Sequence, residues 1–313
     1  MSAWKVLLTD GLEENGQAIL RASAEVADKT GISADDLLQI VGEYDALIVR
    51  GRTKVTPAVF AAAKNLKVVG RAGVGVDNID LKAAKEAGVT VVNSPLATSV
   101  SVAELTLGLM LSVMRDIPRA DATMKAGKWL KKEFEGGELF KKTLGVIGFG
   151  RIGVAVADRA KAFDMEVLGY DPLIPADEIQ KRGGIPVTFD ELLAKSDVIT
   201  MHIPLTAESR GMLNADAFAK MKDGVRIVCA ARGGVIDEEA LLQALESGKV
   251  AAAGLDVFMA EPPGLTPLVS HPRVICTPHI GAQTGEAQGR AAYDIATEVI
   301  AGLKGEPLRW KVA

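Results

Sequence analysis

The chain has 313 residues, 48% of them hydrophobic and 24% charged, with 32 glycines and 13 prolines. That length allows about two domains, each large enough to bury a core without disulfides or metals. A formal net charge of −4 gives no overall attraction for nucleic acid or anionic membrane. The two cysteines, Cys229 and Cys276, sit in short apolar runs, so they read as small buried strand residues in a reducing compartment. The amino-terminal run Trp4–Leu8 ends at Thr9-Asp10, too early for a signal peptide, and no stretch reaches the roughly 18 apolar residues of a membrane helix. A soluble, cytoplasmic protein is expected.

Along the chain, short β-rich runs alternate with helical segments up to about residue 94. Val6–Leu8, Ala46–Val49, Lys67–Val69 and Val89–Val92 read as buried strands. Gly16–Ala22, Ala34–Val41, Pro57–Lys64 and Leu81–Ala87 read as helices between them. Such alternation implies α/β architecture, with helices on both faces of a parallel sheet. Ser101 followed by Glu104 suggests a capping box opening a long helix. Its residues Val100, Ala103, Leu107, Met110, Leu111 and Met114 repeat at helical spacing and predict one buried face. Residues 115–142 are basic (Arg115, Arg119, Lys125, Lys128, Lys131, Lys132, Lys141 and Lys142) and include Trp129 and Phe134. This is either a solvated face or an arm that packs on a partner subunit.

A second alternation starts at Leu144–Ile147 and runs to about residue 282, with strands at Glu166–Tyr170, Val198–Thr200, Arg226–Cys229 and Val274–Cys276. The last helical segment, Gly285–Leu303, is too short to be a domain and is expected to return to the first one. The predicted division is therefore 1–94 plus 284–313, a discontinuous flavodoxin-like substrate domain, and 95–283, a nucleotide domain. Both are doubly wound and Rossmann-like, with parallel sheets.

Gly148-Phe149-Gly150-Arg151-Ile152-Gly153 follows an apolar strand and opens a helical segment, Val154–Phe163. In that setting the first glycine makes a tight turn and the second admits a pyrophosphate to the backbone. The third allows close helix–strand packing, and the helix start faces the phosphates. The next strand ends at Asp171, at the spacing where a carboxylate binds the adenosine ribose. Pro172-Leu173-Ile174 offer no charge for a 2′-phosphate. NAD is the expected cofactor, and no metal site is read.

Three histidines are available for proton transfer. His271 lies in a surface-turn sequence, Ser270–Arg273. His202 ends a strand just before Ile203 and Pro204, where it could line a nicotinamide crevice. His279 lies in Thr277-Pro278-His279-Ile280-Gly281-Ala282, after an apolar strand. Two other strand ends favour His279. Ala230-Ala231-Arg232-Gly233-Gly234 supplies an arginine, and Leu255–Pro263 supplies Asp256 and Glu261. Arg, Glu and His at three successive strand ends could converge, because ligands bind at the carboxyl ends of strands in such sheets.

These segments, in this order, resemble the signatures of the D-isomer-specific 2-hydroxyacid dehydrogenases, and the resemblance covers essentially the whole chain. Val69–Asp80, Ser101–Thr106, Met124–Trp129 and Tyr170–Pro172 narrow it to members that act on a phosphorylated acid. The resemblance implies that Arg232 binds the substrate carboxylate and polarises the C2 oxygen, a task suited to a planar fork. His279 is implied as the acid/base, with Glu261 fixing its tautomer. Arg50, Gly51 and Arg71 are implied at the substrate phosphate, and Gly73, Val74 and Gly75 at its carboxylate. Val74, Thr98, Arg151, Ile152, His202, Ile203, Pro204, Ala230, Ala231, Asp256, Gly281 and Ala282 are implied at NAD, together with the glycines, Asp171, Arg232 and His279. Three positions depart from the family pattern: Gly51 replaces the usual serine, and Thr98 and Cys229 replace common asparagines. The arm around residues 115–142 predicts a homodimer built on the nucleotide domain, with Trp129 embracing the neighbour, and the regulatory domains of longer members are not expected. Other outcomes left open are reduction of glyoxylate, hydroxypyruvate or another 2-oxo acid, and a non-catalytic NAD-sensing scaffold.

Overall fold

Val6, Leu7 and Leu8 are fully buried in the first strand, and the apolar runs Ala46–Val49 and Val198–Met201 repeat that pattern. The structure is a computed structural model describing residues 4–313. It forms two compact units, one running to Ser99 and including Ala282–Ala313, the other Val100–Gly281. The first division falls later than the sequence suggests and the second slightly earlier.

The first unit contains β1 (Trp4–Leu8), α1 (Glu14–Arg21), β2 (Ala24–Asp28), α2 (Ala34–Ile40), β3 (Ala46–Val49), α3 (Pro57–Ala62), β4 (Val68–Arg71), α4 (Leu81–Glu86) and β5 (Thr90–Asn93). The strands pair in parallel in the order β2-β1-β3-β4-β5. The chain reverses its direction of growth between β1 and β3, which makes the loops after those strands the expected ligand position. Helix starts carry local signals: Ser33 accepts the Asp36 amide at 3.1 Å, and Asp80 accepts that of Ala83 at 2.8 Å.

α5 (Ser99–Arg115) leads into the second unit. It begins two residues before the expected cap, so Ser101 lies inside the first turn and no Ser101–Glu104 capping box forms. An N-cap needs non-helical backbone, which a residue within the turn lacks. Ala103, Leu107, Met110 and Met114 are buried as their spacing predicts, whereas Val100 is 46% exposed. The basic stretch holds α6 (Ile117–Lys125) and a short 3-10 turn. Arg119 bonds Asp116 and Glu133 and lies over the Phe134 ring, while Trp129 is 76% exposed.

The second unit continues with β6 (Thr143–Ile147), α7 (Arg151–Lys161), β7 (Glu166–Tyr170), α8 (Ala176–Lys181), β8 (Ile185–Pro186), α9 (Phe189–Lys195), β9 (Val198–Met201), α10 (Ala215–Lys220), β10 (Val225–Cys229), α11 (Glu238–Glu246), β11 (Val250–Leu255) and β12 (Val274–Cys276). Its parallel order is β12-β11-β10-β9-β6-β7-β8, with the reversal between β6 and β9. That order is doubly wound and Rossmann-like. Two apolar clusters fill its faces, one around Ile199, Ile227 and Leu241, the other around Met110, Val146 and Val156. The chain ends with α12 (Gly285–Lys304), whose Ala292, Ile295, Ala296 and Val299 are buried with Val6, Ile48 and Val68 of the first sheet. Cys229 is buried, with its thiol pKa pushed up to about 11 by burial; Cys276 is only half-buried, at the sheet's edge. No helix among the described residues is long and apolar enough to cross a membrane.

Candidate active site

The glycine loop leaves β6 at the point where the second sheet reverses direction. Gly148 takes φ +94°, and a Cβ there would lie 2.6 Å from the His202 carbonyl oxygen. At Gly153 a Cβ would lie 2.0 Å from the Gly148 oxygen, so only glycine lets α7 start against the turn. A Cβ at Gly150 would meet nothing within 4 Å: that side of the loop is open, where a pyrophosphate could approach. The first-turn amides of Arg151, Ile152 and Gly153 follow, at the positive end of the 11-residue helix. These residues fit a dinucleotide.

Asp171 follows β7. Its Oδ2 accepts the Phe149 amide at 2.8 Å, and its Oδ1 accepts those of Leu173 and Ile174 at 2.8 and 3.2 Å. The carboxylate thus ties the glycine loop to the β7 end and leaves an acceptor position for a hydroxyl. Arg182 approaches the same loop, donating to the Phe149 oxygen at 3.1 Å, but its Nε is committed to Glu178 at 2.9 Å.

His202 follows β9 and donates its backbone amide to the Ile147 oxygen at 2.7 Å. Its Nε2 lies 3.1 Å from the Thr200 hydroxyl. The residue keeps some accessible surface, yet its Nδ1 is buried with no partner among the described residues. Burial pushes its pKa down to about 3, so the ring is neutral near pH 7. That makes His202 a poor proton carrier. Ile203 is buried, and the Pro204 oxygen accepts from Ser209 at 2.7 Å.

The three successive strand ends β10, β11 and β12 carry Arg232, Glu261 and His279. His279 Nδ1 lies 2.7 Å from Glu261 Oε2. An ionised carboxylate only accepts, so Nδ1 carries the proton and Nε2 is left with its lone pair. Both side chains are part-exposed. His279 holds φ +53°, and its amide donates to the Asp256 and Thr277 oxygens. Asp256, fully buried, organises this loop: Oδ1 accepts from Thr277 Oγ1 at 2.6 Å and the Ile280 amide at 2.8 Å, and Oδ2 from the Gly281 amide at 2.8 Å. Three of its roughly four acceptor positions are used.

Arg232 lies beyond Ala230 and Ala231, both buried, and donates Nη1 to the Ala231 oxygen at 2.7 Å. Its neighbour Gly233 presses on the β11 end, where a Cβ would fall 1.7 Å from the Phe258 oxygen. The Phe258 amide in turn donates to Glu261 Oε1 at 3.2 Å. A short path of backbone contacts therefore fixes Arg232 relative to the Glu261–His279 pair. His271 caps its own turn, accepting the Arg273 amide at 3.2 Å, and joins none of this.

In the first unit, Arg50, Gly51 and Arg71 are neighbours at the ends of β3 and β4: a Cβ on Gly51 would lie 4.0 Å from Arg71 Nη2. Gly73, at φ +145°, lets the Arg71 guanidinium pack over it and donate Nη1 to the Ala72 oxygen at 3.1 Å. The Gly73 and Val74 oxygens accept from Ser94 and Asn93. Thr98 is buried, while Gly75 is half-buried.

Arg50 is more engaged than its position suggests. It pairs with Glu13 and donates Nε to the Gly11 oxygen. Asp10 and Asn78 escape a search for reactive groups, yet they shape this loop. The Asp10 carboxylate accepts the Arg50 and Thr53 amides at 2.8 and 3.0 Å and pairs with Arg52 at 3.1 Å; Asn78 donates to the Arg50 and Thr53 oxygens. The one available signal was position, since Asp10 stands just past an apolar strand.

A sequence profile described as "D-isomer specific 2-hydroxyacid dehydrogenase, NAD binding domain" matches residues 107–281. The chain belongs to this family. Its second unit is the family's NAD-binding domain. Among curated relatives, the D-3-phosphoglycerate dehydrogenase of Methanocaldococcus jannaschii is 50% identical over 304 residues, 96% of this chain and 58% of that one. That of Bacillus subtilis is 46% identical over 307 residues, 97% of this chain and 58% of that one. This chain thus spans under two thirds of their length. A glyoxylate reductase from Paecilomyes thermophila superposes with a TM-score of 0.91 at 34% identity, covering 100% of this chain and 99% of that one. A D-lactate dehydrogenase from Aquifex aeolicus, complexed with NAD and lactic acid, gives 0.83 at 32%, covering 96% of each.

Proposed function

We propose that this dehydrogenase-family chain oxidises D-3-phosphoglycerate at C2, with NAD as hydride acceptor, in the first step of serine biosynthesis. The observation that carries the reading is the 2.7 Å His279–Glu261 pair, which leaves Nε2 free to take a proton. Relatives named D-3-phosphoglycerate dehydrogenase at 46–50% identity support the substrate.

NAD, when bound, supplies the hydride acceptor. The glycine loop and the amides of Arg151, Ile152 and Gly153 hold its pyrophosphate, and Asp171 its adenosine ribose. Val74, Thr98, His202, Ile203, Pro204, Ala230, Ala231, Asp256, Gly281 and Ala282 serve its remaining length. His279 Nε2 accepts the C2 hydroxyl proton as the carbon is oxidised. Glu261 retains the Nδ1 proton, stabilises the imidazolium and keeps the ring from turning. Arg232 binds the substrate carboxylate through its fork and polarises the C2 oxygen. Amides around Gly73–Gly75 assist at the carboxylate, and Arg71, with Arg50 and Gly51, meets the phosphate. A homodimer built through residues 115–142 accords with the exposure of Trp129, and a cytoplasmic location with two free cysteines.

A second reading has its own support. Arg50 already pairs with Glu13, which weakens a phosphate clamp and favours an unphosphorylated acid such as glyoxylate or hydroxypyruvate. Steady-state rates with 3-phosphoglycerate, D-glycerate, D-lactate and glyoxylate separate the two. Arg71→Ala should lower kcat/KM for 3-phosphoglycerate by roughly ten- to a hundredfold, the worth of one charged hydrogen bond, and leave D-glycerate nearly unchanged. Preference of the unmutated protein for an unphosphorylated acid defeats the first reading. Turnover of none of them leaves an NAD-sensing scaffold.

A further inference from the structure

The NAD-binding sheet has a second charged edge. At the amino ends of β6, β9 and β10 lies a cavity of about 200 Å³, walled by Met114, Lys142, Asp197, Val198, Lys222 and Arg226 among others. It opens at the other end of the strands from the glycine loop, about 16 Å away for a five-residue strand.

Its acidic groups are already satisfied. Asp197 accepts the Thr143 amide at 2.8 Å and Lys222 Nζ at 3.0 Å. Burial opposes its ionisation, but those two donors hold its pKa below the usual carboxylate value. Asp223, on the same wall, pairs with Lys249 at 2.9 Å. Lys142 and Arg226 both feel the charge of Asp197, which Lys222 already contacts, and neither makes a direct ion pair among the described residues. Arg226 Nε is buried and makes no hydrogen bond. Burial lowers the Arg226 pKa from its ordinary value, and Asp197 only partly offsets this. A part-buried guanidinium that shares its acidic neighbour Asp197 with two lysines is under-compensated, and its planar fork matches the oxygens of a tetrahedral anion.

We propose that this cavity binds a phosphate-class oxyanion, held by the Arg226 fork and the Lys142 ammonium, at a site separate from the reacting centre. An anion there stabilises the NAD-binding unit by mass action. Met114 and Val198 give one wall an apolar surface, against which the carbon skeleton of a phosphomonoester can rest.

The test uses the full chain saturated with NADH, so that the pyrophosphate position is filled. Inorganic phosphate is titrated by calorimetry at constant ionic strength. Arg226→Met should weaken the isotherm at least about tenfold, the loss of a charged hydrogen bond, and Lys142→Met should weaken it less. Arg71→Ala, which removes the proposed substrate-phosphate contact, should leave the Arg226-dependent binding intact. In phosphate-free buffer Arg226→Met should melt no lower than the unmutated protein, because an apolar side chain removes the unpaired charge; phosphate should reverse that order. Glycerol 3-phosphate, titrated in parallel, distinguishes an esterified phosphate from the free ion, and its isotherm should weaken likewise in Arg226→Met. An isotherm unchanged in Arg226→Met, or lost in Arg71→Ala, overturns the proposal. So does a change of oligomeric state in Arg226→Met by sedimentation, which would put a partner's side chain in the cavity.

Discussion

Replacing Gly233 by alanine tests how tightly the fold couples Arg232 to the Glu261–His279 pair. The added Cβ would lie 1.7 Å from the Phe258 oxygen, 2.2 Å from its carbonyl carbon and 2.8 Å from the Met259 nitrogen. A carbon–oxygen contact needs about 3.3 Å, so the β10 and β11 ends must separate by roughly 1.6 Å. The neighbours are backbone atoms, which cannot swing aside as a side chain could. Phe258 carries Glu261 through its amide, and Arg232 is adjacent in sequence to Gly233, so the displacement falls between Arg232 and the Glu261–His279 pair. A misplacement of about 1 Å can cost about a hundredfold in rate, near 2.7 kcal/mol of transition-state stabilisation. Stability should fall by about 1–3 kcal/mol as for other overpacked sites. Steady-state kinetics should therefore show kcat/KM lowered roughly a hundredfold, while NADH fluorescence titration shows binding retained. Gly234→Ala is the control: its φ of +84° costs about 1–2 kcal/mol of backbone strain, but the nearest atom, Met259 Sδ, is 3.4 Å away. Near-normal kcat/KM in Gly233→Ala would refute the coupling.

Asp171 should enforce NAD over NADP by repelling a 2′-phosphate, and Asp171→Ala should narrow the kcat/KM gap between the cofactors while weakening NAD through the freed Phe149 amide; equal use of both by the unmutated protein would contradict this. His202, with a folded pKa of about 3 against 6.5 for the ordinary ring, binds its proton more readily when unfolded. Its contribution to stability is therefore complete above pH 6.5 and is lost progressively as pH falls toward 3. Urea denaturation without cofactor should show the unmutated protein losing about 1.4 kcal/mol more than His202→Asn between pH 7.5 and 5.5, and parallel losses would disprove the buried neutral ring. Arg232→Ala should damage phosphorylated and unphosphorylated acids alike, since both present a carboxylate; an effect confined to one would remove Arg232 from that role.

The strands that packing buries on both faces were the easiest to read. Ala46–Val49 is uniformly apolar and buried, and its limits match the sequence expectation. β2, Ala24–Asp28, escaped because it is an edge strand pairing only with β1, with no fully buried residue and two carboxylates in five positions. The glycine loop was legible because steric exclusion by the His202 and Gly148 carbonyls leaves glycine no substitute. The start of α5 was not, because a Ser–x–x–Glu spacing also arises inside a first turn. At the candidate site, Arg232, Glu261 and His279 announced themselves as polar residues at strand ends, but the buried Asp256 scaffold beneath His279 depends on contacts distant in sequence. The pairing of Arg50 with Glu13 joins residues 37 apart and leaves no local pattern.

The central assignment, His279 as the group that takes the hydroxyl proton, rests on one measurement above the rest. NADH formation from D-3-phosphoglycerate and NAD should be followed at 340 nm for the unmutated protein and His279→Ala, with NADH affinity determined for each. Loss of a general base should lower kcat by about 10²–10⁴-fold while NADH binding survives. A His279→Ala protein that turns over at close to the unmutated rate would contradict the assignment.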